Sequence, residues 1–191
     1  MSTGMPDTRR ALLLIDFQQD FLDDDGRMPV ARNQVAPVLA ATRAAIGQAQ
    51  RDGELIVKIG NEFRPRDWVG NLLRRHAAVA GSAGTRWDVR ADVPGAAYLP
   101  KWKSDAFCNP RLQQLLASHG IEQVVLAGLY AGACVTATAK GAMAMGLRVI
   151  VLPDAVACRS DSSRQAALEH LVRLGVGLTA DGSATVPPSA G

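Results

Sequence analysis

The sequence predicts an α/β protein with three layers: a doubly wound, mostly parallel sheet of about six strands, covered by helices on both faces. Short apolar runs alternate with longer segments of helical length along the chain. The apolar runs are continuous rather than alternating, which is typical of strands buried on both faces. Right-handed crossovers between parallel strands then give the doubly wound arrangement.

Six apolar runs are the candidate strands. In chain order they are Ala11–Ile15, Glu54–Ile59, Ala96–Leu99, Gln123–Ala127, Leu147–Leu152 and Gly175–Thr179. Five segments between them have helical length and predict the covering helices. These are residues 34–52, 68–79, 110–119, 132–145 and 161–174. We expect residues 81–94, rich in Gly, Ser, Asp and Pro, to be irregular.

Local signals mark the ends of several predicted helices. Asn109 followed by Pro110 is typical of an N-cap with proline in the first helical position. Glycines at positions 53, 120, 146 and 175 follow helical segments and predict their ends.

Length and composition indicate one globular domain over residues 1–191, because 48% of the residues are apolar. Residues 180–191 are small, polar and proline-containing, and we expect a flexible tail there. The net charge of +3 is small and scattered, which argues against a nucleic-acid partner. The sequence contains no run of membrane-spanning length and no signal-peptide pattern, so we expect no membrane partner and a cytoplasmic location.

The three cysteines, Cys108, Cys134 and Cys158, are odd in number and widely spaced, without a C-x-x-C motif. This pattern excludes a disulfide scaffold and a structural zinc site. If any of the three cysteines is functional, we expect it to act as a single thiol.

Three chemically active side chains follow predicted strands or lie in the turn after one. Asp16 follows the first run, Lys101 follows the third, and Cys134 lies in the turn after the fourth. Ligands of open α/β sheets bind outside the carboxyl ends of the strands, where these groups form a nucleophile with its activators. The alternatives are that Asp16 is a turn residue, that Lys101 extends into water, and that Cys134 is a small core residue.

Cys134 lies at the start of a predicted helix. The first turn of a helix offers unpaired N–H groups and the positive end of the dipole, which favour a thiolate. The same N–H groups could bind an oxyanion.

Two segments carry recognisable motifs. Asp16–Phe21 reads D-F-Q-Q-D-F and is similar to a D-x-Q-N-D-F signature, with Gln19 in place of Asn. Lys101–Phe107 reads K-W-K-S-D-A-F and is similar to K-x-x-x-S-A-F, with Asp105 in place of Ser.

A third block, Gly128–Val135, resembles G-x-x-x-x-x-C-V, followed by Thr138-Ala139 and Asp154-Ala155. With these three blocks in order, the chain from Arg10 to Thr179 resembles the isochorismatase-like superfamily of cysteine hydrolases.

The resemblance implies Asp16, Lys101 and Cys134 as the catalytic residues, with Lys101 rather than Lys103 as the family lysine. It also implies a cis peptide at Leu129-Tyr130 and an oxyanion hole made by the backbone N–H groups of Tyr130 and Cys134. The implied reaction is hydrolysis of a C–N bond in a small amide, ureido or carbamoyl substrate through a Cys134 thioester. Asp16 would accept the thiol proton, and Lys101 would keep the thiol acidic.

The resemblance further implies a homo-oligomer, with helix 137–145 as one possible contact surface. Nicotinamidases of this family carry metal-binding histidines after the second strand, but residues 59–68 contain no histidine here. His76, His119 and His170 are far apart and fit surface positions. We therefore expect no metal, and no cofactor, since the turns lack the glycine spacing of a nucleotide-binding loop.

Two alternative functions stay open. One is an isochorismatase-type vinyl-ether hydrolase that uses Asp16 as an acid. The other is a non-catalytic thiol or binding protein of the same fold.

Aromatic side chains in the predicted loops are candidates to contact the substrate: Phe21, Phe63, Trp68 and Tyr130. For Phe21 and Phe63, core packing is an equal alternative. Arg64 and Arg66 could bind a carboxylate or could simply face solvent.

Overall fold

A computed structural model describes residues 9–180 and contains a six-stranded, fully parallel sheet with the order β3-β2-β1-β4-β5-β6. The strands are β1 (Arg10–Ile15), β2 (Leu55–Asn61), β3 (Ala97–Lys101), β4 (Gln123–Leu129), β5 (Arg148–Ala157) and β6 (Gly177–Leu178). This architecture confirms the predicted fold class. Apart from Ala180, the expected tail lies outside the described residues.

The helices are α1 (Gln19–Leu22), α2 (Arg32–Arg51), α3 (Trp68–Leu73), α4 (Pro110–Ser118), α5 (Thr136–Ala144) and α6 (Asp161–Arg173). A single π-helical turn, Ala131–Val135, leads directly into α5. Five of these helices overlap predicted segments, and the short α1 was not predicted. Residues 81–94 are irregular apart from the two 3-10 turns Ala83–Thr85 and Val89–Ala91.

The two faces of the sheet bury two separate apolar clusters. Leu13 of β1 belongs to the cluster that contains Leu112 of α4 and Leu171 of α6. Its neighbour Leu14 belongs to the opposite cluster, with Val38 of α2. Both faces of β1 are therefore buried, as its uninterrupted apolar sequence predicts.

The prediction of a helix over residues 68–79 was wrong in length, because α3 ends at Leu73. Arg75, His76 and Ala78 have φ angles of 54°, 59° and 49°, in the left-handed region that ends a right-handed helix. The chain instead forms a compact loop in which the Phe63 N–H donates to the Ala78 carbonyl.

Strand β5 extends beyond the predicted run, through Pro153. Strand β6 pairs only with Ile150 and Val151 of β5. Between Val151 and Val156, the pairing of β5 with β4 is irregular. Proline has no N–H to donate, so an irregular stretch tolerates it. Pairing with β4 resumes at Val156, which carries β5 to the carboxyl edge of the sheet.

The predicted helix boundaries of α4 are confirmed. The Asn109 side chain accepts a hydrogen bond from the Arg111 N–H at 3.1 Å, with Pro110 in the first turn. Gly120 follows with a φ of 60°. Within residues 9–180, no helix is long and apolar enough to cross a membrane.

Candidate active site

Asp16, Lys101 and Cys134 come together at the carboxyl edge of the sheet. The Lys101 Nζ lies 3.0 Å from Asp16 Oδ2 and 3.3 Å from Cys134 Sγ. Asp16 follows β1, and Lys101 is the last residue of β3, which is separated from β1 by β2. Cys134 lies in the π-helical turn after β4. The side chains of Lys101 and Asp16 are 0% and 1% exposed, so the ion pair is fully shielded from bulk water.

The backbone around Asp16 is tightly constrained. Asp16 adopts a φ of 60°, which non-glycine residues rarely do and which is common at functional sites. On the adjacent strand, Gly128 has a φ of 151°, and a Cβ atom there would lie 2.3 Å from the Ile15 carbonyl oxygen. Glycine at position 128 therefore permits the close approach of β4 to the end of β1.

Asn61, the last residue of β2, is a fourth member of this cluster that the sequence reasoning missed. Its Nδ2 donates to Asp16 Oδ2 at 2.8 Å and lies 3.6 Å from Cys134 Sγ. Its Oδ1 accepts from Lys101 Nζ at 2.6 Å. The rule that identified Asp16 and Lys101 could have found it, but the predicted strand stopped two residues earlier, at Ile59.

Gln18 holds the backbone of Asn61 in place. Its buried side chain accepts from the Asn61 N–H at 2.9 Å and donates to the Asn61 carbonyl at 2.9 Å. The same Nε2 donates to the carbonyl of Thr85 at 2.8 Å. This bond connects Gln18 to the irregular segment 81–94. The D-x-Q motif thus provides the Asp16 carboxylate and the Gln18 amide. The amide holds the backbone of Asn61, whose side chain bonds to that carboxylate.

Burial determines the electrostatics of the cluster. It raises the pKa of the Asp16 carboxyl above its usual value, although the neighbouring Lys101 ammonium opposes this shift. Burial also acts to lower the pKa of Lys101, but Asp16 and Cys134 outweigh it and the pKa is raised.

Burial and the adjacent Asp16 carboxylate raise the pKa of the Cys134 thiol to about 11. Lys101 acts to lower the pKa of this thiol, in the direction that the resemblance implies, but it does not set the net shift. Burial and the charge of Asp16 outweigh the opposing effect of Lys101. Forming a thiolate at neutral pH requires a base, and Asp16 is the adjacent candidate.

The turn that carries Cys134 begins directly after β4. The Leu129-Tyr130 peptide bond is cis, as the resemblance implies. Tyr130 precedes the π-helical turn Ala131–Val135, and its carbonyl accepts from the N–H groups of Ala133 and Val135. Cys134 thus lies within the first turn of the combined helix, as predicted.

The four aromatic candidates differ in environment. Phe21 is 3% exposed and packs edge-on against Tyr130, with ring centroids 5.8 Å apart. The Tyr130 hydroxyl donates to the Met28 carbonyl. Phe63 is buried, with the Arg74 guanidinium 3.9 Å above its ring. Phe21 and Phe63 therefore contribute to packing.

Trp68 is on the surface of α3, with 79% of its area exposed. A contact between Trp68 and a substrate therefore stays a prediction. Its placement differs from that of Phe21, Phe63 and Tyr130, which are at least partly buried.

Arginines surround this edge of the sheet. The Arg64 guanidinium lies 5.5 Å from the ring centroid of Trp102, next to Lys101, and Arg66 is exposed. Arg159, which follows β5, lies 5.9 Å from the ring centroid of Tyr130 and was not predicted. Its position after a strand is the signal that could have identified it.

All three cysteines are free thiols: Cys134 and Cys158 are buried, and Cys108 is half-buried. The Cys158 N–H donates to the Gln34 side chain at 2.9 Å, which fits a structural role. His76 and His119 are exposed, whereas His170 is half-buried. Among residues 9–180, no three His, Cys, Asp or Glu side chains are grouped closely enough to hold a metal ion.

Comparisons with known proteins identify relatives of this chain. A maleamate amidohydrolase from Pseudomonas putida is 30% identical over 168 residues, covering 83% of this chain and 76% of the relative. A streptothricin hydrolase from Streptomyces noursei is 29% identical over 149 residues, covering 76% of this chain and 49% of the relative. The chain thus spans about half the length of that relative.

Among solved structures, the N-carbamoylsarcosine amidase from Thermoplasma acidophilum superposes with a TM-score of 0.80 at 24% identity. The match covers 93% of this chain and 99% of that one. The family model of the isochorismatase domain matches residues 10–181, which include all four residues of the buried cluster. The chain therefore belongs to the isochorismatase family.

Proposed function

We propose that this protein is a cysteine-dependent hydrolase that cleaves the C–N bond of a small amide, ureido or carbamoyl compound. The observation that carries the proposal is the position of the Lys101 ammonium, 3.0 Å from the Asp16 carboxylate and 3.3 Å from the Cys134 sulfur. A nucleophile, a base and a cation in mutual contact are the parts that acyl transfer requires. The maleamate and N-carbamoylsarcosine hydrolysing relatives support the C–N bond as the target.

In the acylation step, Asp16 accepts the thiol proton as Cys134 Sγ attacks the substrate carbonyl carbon. The carbonyl oxygen becomes an oxyanion, which the backbone N–H groups of Tyr130 and Cys134 bind. Asp16 then returns its proton to the leaving nitrogen. The C–N bond breaks, ammonia or an amine departs, and a thioester forms on Cys134.

In the deacylation step, water attacks the thioester carbonyl while Asp16 accepts a proton from it. The C–S bond breaks and a carboxylic acid leaves. Asp16 then returns a proton to Cys134, which restores the resting thiol. Asp16 passes on each of the two protons that it accepts, so it ends the cycle ionised, as it began.

The charge balance of the buried cluster favours this proton transfer. Before the transfer, the Lys101 ammonium faces the Asp16 carboxylate, and after it the same ammonium faces the Cys134 thiolate. The net charge of the three side chains is zero in both states. No additional charge has to be buried, which avoids the largest desolvation cost.

Asn61 supports both states of the cluster. Its amide nitrogen donates to Asp16 and lies near Cys134, so it can stabilise negative charge on either group. Its amide oxygen holds the Lys101 ammonium at 2.6 Å. We assign Asn61 as a positioning residue that orients the base and the cation.

The proposal is tested by a screen of small amides, ureides and carbamoyl acids, starting with maleamate and N-carbamoylsarcosine, for ammonia release. A hit should disappear in Cys134→Ala and Asp16→Asn. Activity that survives in Cys134→Ala would contradict the thiol mechanism. Pyruvate release from isochorismate, retained in Cys134→Ala, would instead support vinyl-ether hydrolysis with Asp16 as the acid.

A non-catalytic thiol protein makes a different prediction. Such a protein would release no ammonia from any compound, and replacing Asp16 or Lys101 would leave its ligand binding unchanged. Alkylation of Cys134 by iodoacetamide, followed by mass spectrometry in wild type and Asp16→Asn, addresses the same point. We expect Asp16→Asn to lower the pKa of the Cys134 thiol and to speed the alkylation, because the Asp16 charge is one of the causes that raise that pKa. An alkylation rate that Asp16→Asn leaves unchanged would contradict the coupling of the two groups.

A further inference from the structure

Asp20 is a buried carboxylate that the proposed mechanism does not use. It belongs to the motif Asp16–Phe21, and only 6% of its surface is exposed. Its Oδ2 accepts from the Ala78 N–H at 2.8 Å, and its Oδ1 accepts from the Arg27 N–H at 3.3 Å. Burying a carboxylate is costly, and bonds to N–H groups offset that cost. Asp20 thus joins two segments of the chain, one before β2 and one after it.

The loop at residues 26–28 closes around Asp20. Besides the bond from Arg27, the Met28 N–H donates to the Asp20 carbonyl at 3.0 Å. A Cβ atom at Gly26 would lie 2.6 Å from the same carbonyl oxygen, so glycine permits this close approach. Asp20 therefore fixes the backbone of Met28 through its main chain and, by way of Arg27, through its side chain.

The Met28 carbonyl in turn holds Tyr130, whose hydroxyl donates to it. Burial raises the pKa of this hydroxyl to about 12, although Arg159 opposes the shift. The hydroxyl is therefore protonated and able to donate at neutral pH. Phe21, the residue after Asp20, packs edge-on against the Tyr130 ring, with centroids 5.8 Å apart. Both ends of the Tyr130 side chain are thus held by groups that adjoin Asp20.

The bond between Tyr130 and Met28 crosses the point where the strand order reverses. Strands β1 and β4 are neighbours, but the chain leaves them in different directions, into α1 and into the π-helical turn. Ligands of such sheets bind at this gap. The Tyr130 carbonyl accepts from the N–H groups of Ala133 and Val135, so a displacement of Tyr130 would displace the turn that carries Cys134.

We propose that Asp20 and the Tyr130 hydroxyl are positioning groups that aim the backbone N–H groups of the turn after β4 at the substrate oxyanion. This inference rests on the proposed function, because it takes the N–H groups of Tyr130 and Cys134 as the oxyanion hole. Asp20 acts through Met28 and Tyr130, and not on the reacting atoms. Donors stabilise an oxyanion only when the surrounding structure holds them in the productive geometry, which is what this chain of contacts supplies.

Two reagents separate the geometry of the oxyanion hole from the reactivity of the thiol. Methyl methanethiolsulfonate has no carbonyl group and transfers its methylthio group to Cys134 as methanesulfinate leaves, so its rate reports the thiol alone. Acetaldehyde is attacked by the Cys134 sulfur at its carbonyl carbon, and the aldehyde oxygen then lies where the oxyanion would. Its affinity is measured as protection of Cys134 against the first reagent, by mass spectrometry of the Cys134 peptide. Neither reagent requires turnover.

Tyr130→Phe removes only the hydroxyl, and Asp20→Asn keeps one acceptor oxygen. Each should weaken the protection by acetaldehyde about 10-fold, and the double variant by little more, because both act on one chain of contacts. The rate with methyl methanethiolsulfonate should change less than about two-fold, since it does not use the oxyanion hole. Tyr98→Phe and Asp88→Asn are the matched controls: the Tyr98 hydroxyl also bonds to a side chain, and Asp88 is a buried aspartate that also accepts from a backbone N–H.

With a substrate from the ammonia screen, kcat should fall about 10-fold in Tyr130→Phe and Asp20→Asn with little change in KM. Undiminished protection in Tyr130→Phe overturns the proposal, as does an equal loss in Tyr98→Phe or Asp88→Asn, or a wild type that acetaldehyde does not protect. Thermal unfolding shows whether Asp20→Asn is folded, and Tyr130→Phe decides the proposal if it is not. Absence of ammonia release from every compound would contradict the proposed function and leave the acetaldehyde comparison intact.

Discussion

The Asn61 amide lies between the two charged groups of the site: its Nδ2 donates to Asp16 Oδ2 at 2.8 Å and its Oδ1 accepts from Lys101 Nζ at 2.6 Å. One neutral side chain thus fixes both the base and the cation against the Cys134 sulfur. This relationship explains how an ion pair can be buried without either partner being free to move away from the nucleophile.

Replacing Asn61 with Ala should lower kcat by about 10- to 100-fold with a small change in KM, because two hydrogen bonds to charged groups are lost. Loss of the donor to Asp16 should also raise the pKa of that carboxyl, which moves the acid limb of the activity profile to higher pH. Steady-state kinetics against pH measure both effects. Asn33→Ala, at an exposed amide on α2, is the control and should change neither. An unshifted acid limb in Asn61→Ala would contradict the positioning role.

The pH dependence of wild-type kcat/KM should follow Asp16 on the acid side. Asp16 must be ionised to accept the thiol proton, and burial raises its pKa above the usual 3.8, so activity should fall at a higher pH than for an ordinary aspartate. The alkaline limb should lie above pH 10.5, because the pKa of Lys101 is raised. A pH–rate profile tests both limbs. An acid limb below pH 3.8 would be incompatible with a buried Asp16 base.

Replacing Lys101 with Met should destabilise the protein by about 3 kcal/mol at pH 8, because it leaves the buried Asp16 carboxylate without its cation. An acid whose folded-state pKa is raised loses stability as pH rises from its unfolded pKa toward the folded one. The loss in Lys101→Met should therefore be smaller at pH 5 than at pH 8. Urea unfolding at the two pH values measures it.

The double variant Asp16→Asn/Lys101→Met provides the control for that experiment. It removes both charges, so it should recover much of the lost stability and show little difference between pH 5 and pH 8. A single variant with the same stability at both pH values would show that the Asp16 charge is not responsible.

Replacing Gly128 with Ala should destabilise the protein by roughly 3 kcal/mol or more, because the new Cβ would lie 2.3 Å from the Ile15 carbonyl oxygen. The backbone of β1 cannot yield easily, since both its faces are buried. Gly132→Ala is the matched control: its Cβ would meet only the Ala167 methyl at 3.5 Å, and it should be tolerated. Thermal unfolding of the two variants compares them directly, and equal stability would refute the close-approach argument.

The sequence predicts most of this fold because the relevant signals are local. Continuous apolar runs identify all six strands, and the Asn109-Pro110 cap and the glycine stops identify helix ends. The rule that ligands bind at strand ends then selects Asp16 and Lys101 without reference to the structure. Asn61 was accessible to the same rule and was missed only because the end of β2 was placed too early.

Other features depend on the folded environment and could not be predicted. Helix α3 ends at Leu73, and Arg75, His76 and Ala78 after it adopt left-handed conformations. Arg, His and Ala are not residue types that predict such conformations from sequence. The raised pKa of the Cys134 thiol depends on its burial beside Asp16. A position at a helix start indicates the opposite shift, and only the packing around the thiol decides between them.

The central claim, that Cys134 forms a thioester with its substrate, is tested most directly by rapid-quench mass spectrometry of the enzyme with a hydrolysed amide. The account predicts a transient mass increase equal to the acyl part of the substrate, located on the peptide that contains Cys134. It also predicts that Cys134→Ala shows neither the adduct nor more than about 0.1% of the wild-type turnover, since removal of a nucleophile typically costs at least about 10³-fold. Full turnover without any adduct, or substantial turnover by Cys134→Ala, would contradict it.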